Sequence, residues 1–292
     1  MASGASLMKG GRRPFQIALA EGEVLRGDVW TPTSPSPDAA IVVCHGFKGF
    51  KDWGFFPYLC EELARRTSCL TVGFNFTGSG VEERLEEFTA LERFGRNTFS
   101  RELEDLEIVL DGLTVGRLGD VRVPEARRFG LVGHSRGGAT ALLKASRRRQ
   151  VQALVTWAAV ASLGHYLELY VGRWEAGKPV FIENTRTGQQ MPLYRNVMDD
   201  LRANAERLDV QQAAAHLDIP YLIVHGSEDE SVPPADGERL AMAAPEATLE
   251  QIDGAGHTMG AGHPFAGPNP HLERAIAVSA THLRAVLTEG GS

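Results

Sequence analysis

Five short apolar runs most constrain what this chain can fold into: "IVVCHG" (41–46), "CLTVGFNF" (69–76), "RFGLVGHS" (128–135), "VQALVTWAA" (151–159) and "YLIVHGSED" (221–229). Each has strand length and stops at glycine or a polar loop. Continuous rather than alternating hydrophobicity belongs to strands buried on both faces. Helical patterns separate them. One runs from about Phe55 to Arg66, with Pro57 acceptable in its first turn. Another spans 100–113, with Leu103, Leu106, Leu110 and Leu113 on one face and Ser100 as the expected N-cap. "RGGATALLKASRRR" (136–149) carries its cations in the last turn, as the helix dipole favours. "HLERAIAVSATHLRAVL" (271–287) closes the chain. Strand and helix in alternation predict a largely parallel sheet covered on both faces.

At the edges, "FQIALA" (15–20) and "VLRGDVWTP" (24–32) read as a hairpin, and residues to about Arg13 as a tail. "ATLEQIDGAGH" (247–257) is the last strand and its loop. Roughly sixty residues separate the sixth strand from "YLIVHG", more than one crossover helix needs. This insertion, about 160–218, contains Tyr166, Tyr170, Trp174, Phe181, Met191 and Tyr194. It reads as a helix–hairpin followed by the helix "NVMDDLRAN". Its aromatics either cap a site as a lid or form a small core of their own. Residues 1–292 are read as one domain carrying this insertion.

Composition excludes several classes. The 292 residues are 43% hydrophobic and 23% charged, with a net charge of −7. That balance gives no reason to expect nucleic acid or an anionic membrane as partner. The acidic run "VEERLEEFTALE" (81–92) reads as a solvated face. Cys44, Cys60 and Cys69 are too few and wrongly spaced for a disulfide framework or a zinc site. The first residues show no apolar secretory signal, and no apolar run is long enough to span a bilayer. The expectation is a cytosolic protein with a small-molecule substrate; a homodimer is compatible with the sequence.

Gly133-His134-Ser135-Arg136-Gly137 matches G-x-S-x-G, in the strand–turn–helix setting the motif requires. A strand turning abruptly into a helix exposes the serine hydroxyl, and both positions two residues away must be small. Ser135 is the expected nucleophile. A base should follow in the order Ser…Asp/Glu…His. His257, in "GAGHTMG" directly after the last strand, is preferred over His263 six residues on. The acid should follow the penultimate strand. "HGSEDESVP" offers Glu228, Asp229 and Glu230, of which Asp229, ahead of the anchoring Val232-Pro233, is preferred. An oxyanion hole needs two backbone N–H groups: Arg136, after the nucleophile, and Phe47, in the "CHGFKGF" loop. His134, Trp157, Tyr166 and Trp174 are candidate substrate-pocket residues. The Arg136 side chain has two readings, toward the insertion or over the helix end.

These pieces together resemble the α/β-hydrolase superfamily over nearly the whole chain, from "IVVCHGFKG" through "GHSRGG" and "HGSEDESVP" to "GAGHTMG". The "HGF" loop and the insertion look most like bacterial serine esterases of the cinnamoyl/feruloyl type. The resemblance implies an α/β-hydrolase fold, acyl-enzyme chemistry on carboxylic esters through Ser135, Asp229 and His257, and neither metal nor organic cofactor. "NFTGSG" departs from related sequences, with Asn75 where they often have an acid. The same triad is compatible with a peptidase or amidase, and the fold with a non-catalytic binding protein.

Overall fold

The computed structural model describes residues 11–289 apart from Pro37, Leu85 and Pro179. Eight strands form the central sheet: β1 (Gly11–Ala18), β2 (Val24–Thr31), β3 (Asp38–Cys44), β4 (Leu70–Asn75), β5 (Ala126–His134), β6 (Val151–Trp157), β7 (Tyr221–Gly226) and β8 (Ala247–Ile252). Their spatial order is β1-β2-β4-β3-β5-β6-β7-β8. β2 is antiparallel to both neighbours, and β3 to β8 run parallel. Five longer helices flank the sheet: α1 (Phe56–Thr67), α2 (Phe99–Thr114), α3 (Arg136–Ala145), α4 (Pro234–Ala243) and α5 (Pro270–Arg284).

Alternate side chains of each inner strand feed two separate cores. On β3, Ala40, Val42 and Cys44 meet α2 and α3, whereas Ile41 and Val43 meet α1 and α5. On β7, Ile223 takes the first face, and Leu222 and Val224 the second. Burial on both faces is the reason these strands read as unbroken apolar runs.

Local chemistry fixes the helix ends. α5 starts where Asn269 accepts hydrogen bonds from the His271 and Leu272 N–H groups, with Pro270 in the first turn. α2 starts at Thr98, whose side chain accepts from Arg101 N–H, and not at Ser100. The Ser100 N–H instead donates to Asp200 across the insertion. α3 stops at Ala145, short of the arginine run that was expected to continue it.

The expected tail needs correction. Gly11, Arg12 and Arg13 belong to β1, opposite Thr31, Trp30 and Val29. Arg12 lies over the Trp30 ring and binds Asp28 at 2.7 Å, which holds this edge of the sheet in register. Residues 1–10 lie outside the described residues. The acidic stretch 81–92 carries buried anchors: Val81 and Phe88 pack with Phe50, Phe94 and Met191, while Glu83, Glu86 and Glu87 face solvent, and Leu91 and Glu92 open a short helix (Leu91–Arg96).

The insertion between β6 and β7 holds a short helix (Val171–Glu175), a hairpin (Val180–Asn184 with Gln189–Leu193) and two further helices (Asn196–Ala203 and Val210–Ala215). Its apolar residues do not form a separate core. Leu163, Leu167, Trp174, Leu193 and Val197 join the cluster beneath α2 and α3. No helix among the described residues is long and apolar enough to cross a membrane.

Candidate active site

Ser135 stands between β5 and α3 with φ 56° and ψ −125°. A non-glycine residue in this region is strained, and it persists only where its surroundings over-determine it. Here the Ser135 N–H donates to the Trp157 carbonyl at 2.8 Å, and its carbonyl accepts from Gly138 N–H at 2.9 Å. The close approach of strand and helix requires glycine on both sides. A Cβ on Gly133 would lie 2.3 Å from the Gly137 carbonyl oxygen, and one on Gly137 would lie 2.2 Å from that of His45.

The other expected residues come to the same end of the sheet from three separate loops. Asp229 lies between β7 and α4, His257 between β8 and α5, and Phe47 after β3. His257 Nδ1 donates to Asp229 Oδ2 at 2.8 Å. Asp229 Oδ1 accepts from the Ser231 and Val232 N–H groups, both at 2.9 Å. Burial alone would push the Asp229 carboxyl up. Hydrogen bonds from His225 and His257, the His257 charge and the Val232 N–H outweigh it and hold the group well below the usual carboxylate range.

Two further histidines support this pair. His225 Nε2 lies 3.4 Å from the same Asp229 oxygen and 3.0 Å from the Val232 carbonyl. It sits four residues before Asp229 at the end of β7, and that spacing was the only signal of its place in the sequence. His134 is buried and donates from Nε2 to the His257 carbonyl at 2.9 Å. Burial, reinforced by the His257 charge, pushes its pKa down to about 3, so it is a neutral prop under the His257 loop.

The loop after β3 is pinned from below. His45 donates from Nδ1 to the Gly46 carbonyl at 2.9 Å and accepts at Nε2 from the Phe76 N–H at 3.2 Å. Burial pushes its pKa down to about 4, which preserves that pattern at neutral pH. Asn75, where related sequences often carry an acid, accepts from the Lys51 N–H at 2.6 Å. Among the described residues neither the Phe47 N–H nor the Arg136 N–H has a hydrogen-bond acceptor. Both residues line the space in front of Ser135.

That space is a cavity of about 380 Å³ lined by Ser135, His257, Phe47 and Arg136, and by Tyr166, Tyr170, Ile182 and Leu193 of the insertion. The size suits a small organic ligand. Of the expected pocket residues, Tyr166 is on its wall. Trp157 is not: it is fully buried on the α1/α5 side of the sheet, with Nε1 donating to Ser279 Oγ at 2.9 Å. Trp174 is buried inside the insertion and donates to the Leu193 carbonyl at 3.0 Å. His134 lies behind His257, away from the wall. His263, the alternative base, accepts from the Gly54 N–H at 2.9 Å and stacks on Trp53, with Glu86 rather than Asp229 nearby.

The Arg136 side chain does neither of the two things expected of it. It turns under the Phe47 loop, 4.6 Å from the Phe47 ring, and pairs with buried Glu102. Glu102 also accepts from Asn97 at 2.8 Å and from Thr140 at 3.1 Å. A second, more open hollow of about 620 Å³ lies by Glu107, Lys144, Arg147 and Arg148. No serine, threonine or cysteine lines it, and Lys144 and Arg148 are both paired with Glu107. Among the described residues no group of three or more His, Cys, Asp or Glu side chains is arranged to hold a metal ion.

The fold is shared with many solved structures. The esterase domain of a Rhodothermus marinus protein superposes with a TM-score of 0.65 at 18% identity, covering 95% of this chain and 99% of that one. Est1E from Butyrivibrio proteoclasticus, also solved with ferulic acid bound, gives a TM-score of 0.62 at 18% identity, covering 91% and 96%. A Mycobacterium tuberculosis puromycin-hydrolyzing peptidase gives 0.64 at 18% identity, covering 96% of this chain and 40% of that one. No curated protein matches the chain in sequence. The alpha/beta hydrolase family matches residues 41–267. With β4 through the His257 loop inside that match, the chain belongs to the alpha/beta hydrolase family.

Proposed function

We propose that this protein is a serine carboxylesterase acting on small to medium carboxylic esters through an acyl-enzyme. The observation that carries the reading is the convergence on one cavity of a strained Ser135 and of His257, whose Nδ1 is held by Asp229. His257 Nε2 takes the Ser135 proton as Oγ attacks the ester carbonyl. The Phe47 and Arg136 N–H groups receive the oxyanion, and Asp229 stabilises the imidazolium. His257 then protonates the leaving alcohol. Water activated by the same imidazole releases the acid and restores Ser135.

An aromatic acid or alcohol is the favoured partner of this wall, since Phe47, Phe99, Tyr166 and Tyr170 all border the cavity. The insertion serves as the lid that shapes it. The rival reading, a peptidase or amidase on the same residues, draws on the likeness to the puromycin-hydrolyzing peptidase. A panel of p-nitrophenyl esters of graded length, hydroxycinnamate esters and aminoacyl p-nitroanilides, run on wild type and Ser135→Ala, separates the two. Ester turnover that exceeds anilide turnover and disappears in Ser135→Ala is expected. Anilide turnover above ester turnover overturns the choice.

A further inference from the structure

The charges around the cavity are one-sided. The chain has more acids than bases, 37 against 30. Yet no carboxylate lines this space, while Arg136 and Lys48 do. The Arg136 charge is spent on Glu102, which is buried and accepts from Asn97 and Thr140 as well. Lys48 differs. Its ammonium donates to the uncharged main-chain carbonyl of Glu183 at 3.2 Å, and among the described residues no carboxylate oxygen lies within ion-pair distance of it. Burial lowers its pKa, with no neighbouring anion to offset the effect.

Lys48 is also held where lysine is costly. Its φ is 57°, in the left-handed region that favours glycine, and it directly follows Phe47. Strain of this kind gathers at ligand-holding positions. The half-buried ammonium sits at the hairpin side of the cavity, with Phe47, Ile182 and Leu193 around the same space. An apolar wall strengthens an ion pair formed against it and penalises an unpaired charge.

We propose that the cavity selects esters carrying an anionic group, a carboxylate being the simplest, which pairs with Lys48 while the scissile carbonyl lies at Ser135. This rests on the esterase reading. The anion replaces the Glu183 carbonyl as the partner of Lys48, and the aromatic and aliphatic wall holds the body of the substrate between the two ends. Neutral esters of the same shape leave Lys48 without an anion and gain nothing from it.

Two matched pairs test the proposal and identify which half of the ester bears the anion. Monomethyl adipate against methyl adipamate places the charge on the acyl side, and 4-acetoxybutanoate against 4-acetoxybutanamide places it on the alcohol side. In one pair the anionic ester should be preferred by about tenfold in kcat/KM, mostly through KM, the scale of one half-buried ion pair. Lys48→Met should bring that ratio close to one, and Lys48→Arg should retain most of it. In the wild type the ratio should fall as salt rises from about 0.01 M to about 0.5 M. No anionic preference in either pair, or a ratio untouched by Lys48→Met, overturns the proposal. If Lys48→Met does not fold, a wild-type ratio insensitive to salt overturns it. Calorimetry of the same compounds on Ser135→Ala needs no turnover: equal binding of acid and amide rejects this inference alone, whereas a folded wild-type protein whose Ser135 takes up no fluorophosphonate label rejects the esterase reading.

Discussion

Asp229 and His257 are joined at 2.8 Å, Oδ2 to Nδ1, across loops that lie 28 residues apart in the chain. The bond fixes the imidazole with its proton on Nδ1, and in the proposed mechanism Nε2 is the atom that takes the Ser135 proton. Asp229→Asn should therefore lower kcat by about 10⁴ while the fold persists, because the amide no longer enforces that tautomer. Steady-state kinetics with circular dichroism checks it. A loss of less than about tenfold would mean that Asp229 is not the orienting acid.

The same carboxylate predicts how stability responds to acid. Asp229 is held below its ordinary value, so the unfolded chain takes up its proton first as pH falls. Its contribution is complete above about pH 4 and is lost progressively below that. The melting temperature of wild type minus that of Asp229→Asn should not shrink between pH 7 and about pH 4, and should shrink below. A difference that stays level to about pH 2 would contradict this.

Arg136 and Glu102 form a nearly buried pair beneath the Phe47 loop. Arg136→Met leaves Glu102 charged and short of its strongest partner, and should destabilise the protein by roughly 3 kcal/mol. Adding Glu102→Gln should recover most of the loss, since an uncharged pair carries no desolvated anion. Denaturant melts of the two single variants and the double variant form the cycle. Additive losses would show that the pair is not coupled.

Two glycines should respond in opposite directions to one added methyl. In Gly137→Ala the Cβ meets the backbone of His45 at 2.2 Å, and neither partner can move without disturbing the Ser135 turn. A loss of about 3 kcal/mol is expected, with activity falling further. Gly172, in the short insertion helix, has nothing within 4 Å of an added Cβ. Gly172→Ala should gain about 0.5 kcal/mol through helix propensity. Thermal melts that rank the two variants the other way would contradict the packing.

The sheet was legible because burial on both faces leaves continuous apolar runs, and the Ser135 turn because its requirements are local: strand, small residue, serine, small residue, helix. Asp229 and His257 could be placed because each directly follows a strand. What escaped depends on which side a strand end faces. Trp157 stands next to Ala158 at a strand end, but its side chain points to the α1/α5 core, and sequence does not say which face carries the cavity. Trp174 belongs to an insertion whose packing follows no period. The Arg136 side chain could not be read because its partner Glu102 lies 34 residues away on α2. The Gly11 start of β1 is set by pairing with β2, where local propensity had suggested a tail.

The most direct test of the central claim is labelling with a fluorophosphonate, followed by mass-spectrometric mapping of the adduct. The account predicts one adduct, on Ser135, absent from Ser135→Ala and strongly reduced in His257→Ala but not in His263→Ala. A folded wild-type protein that takes up no label, or carries it on another residue, would contradict it.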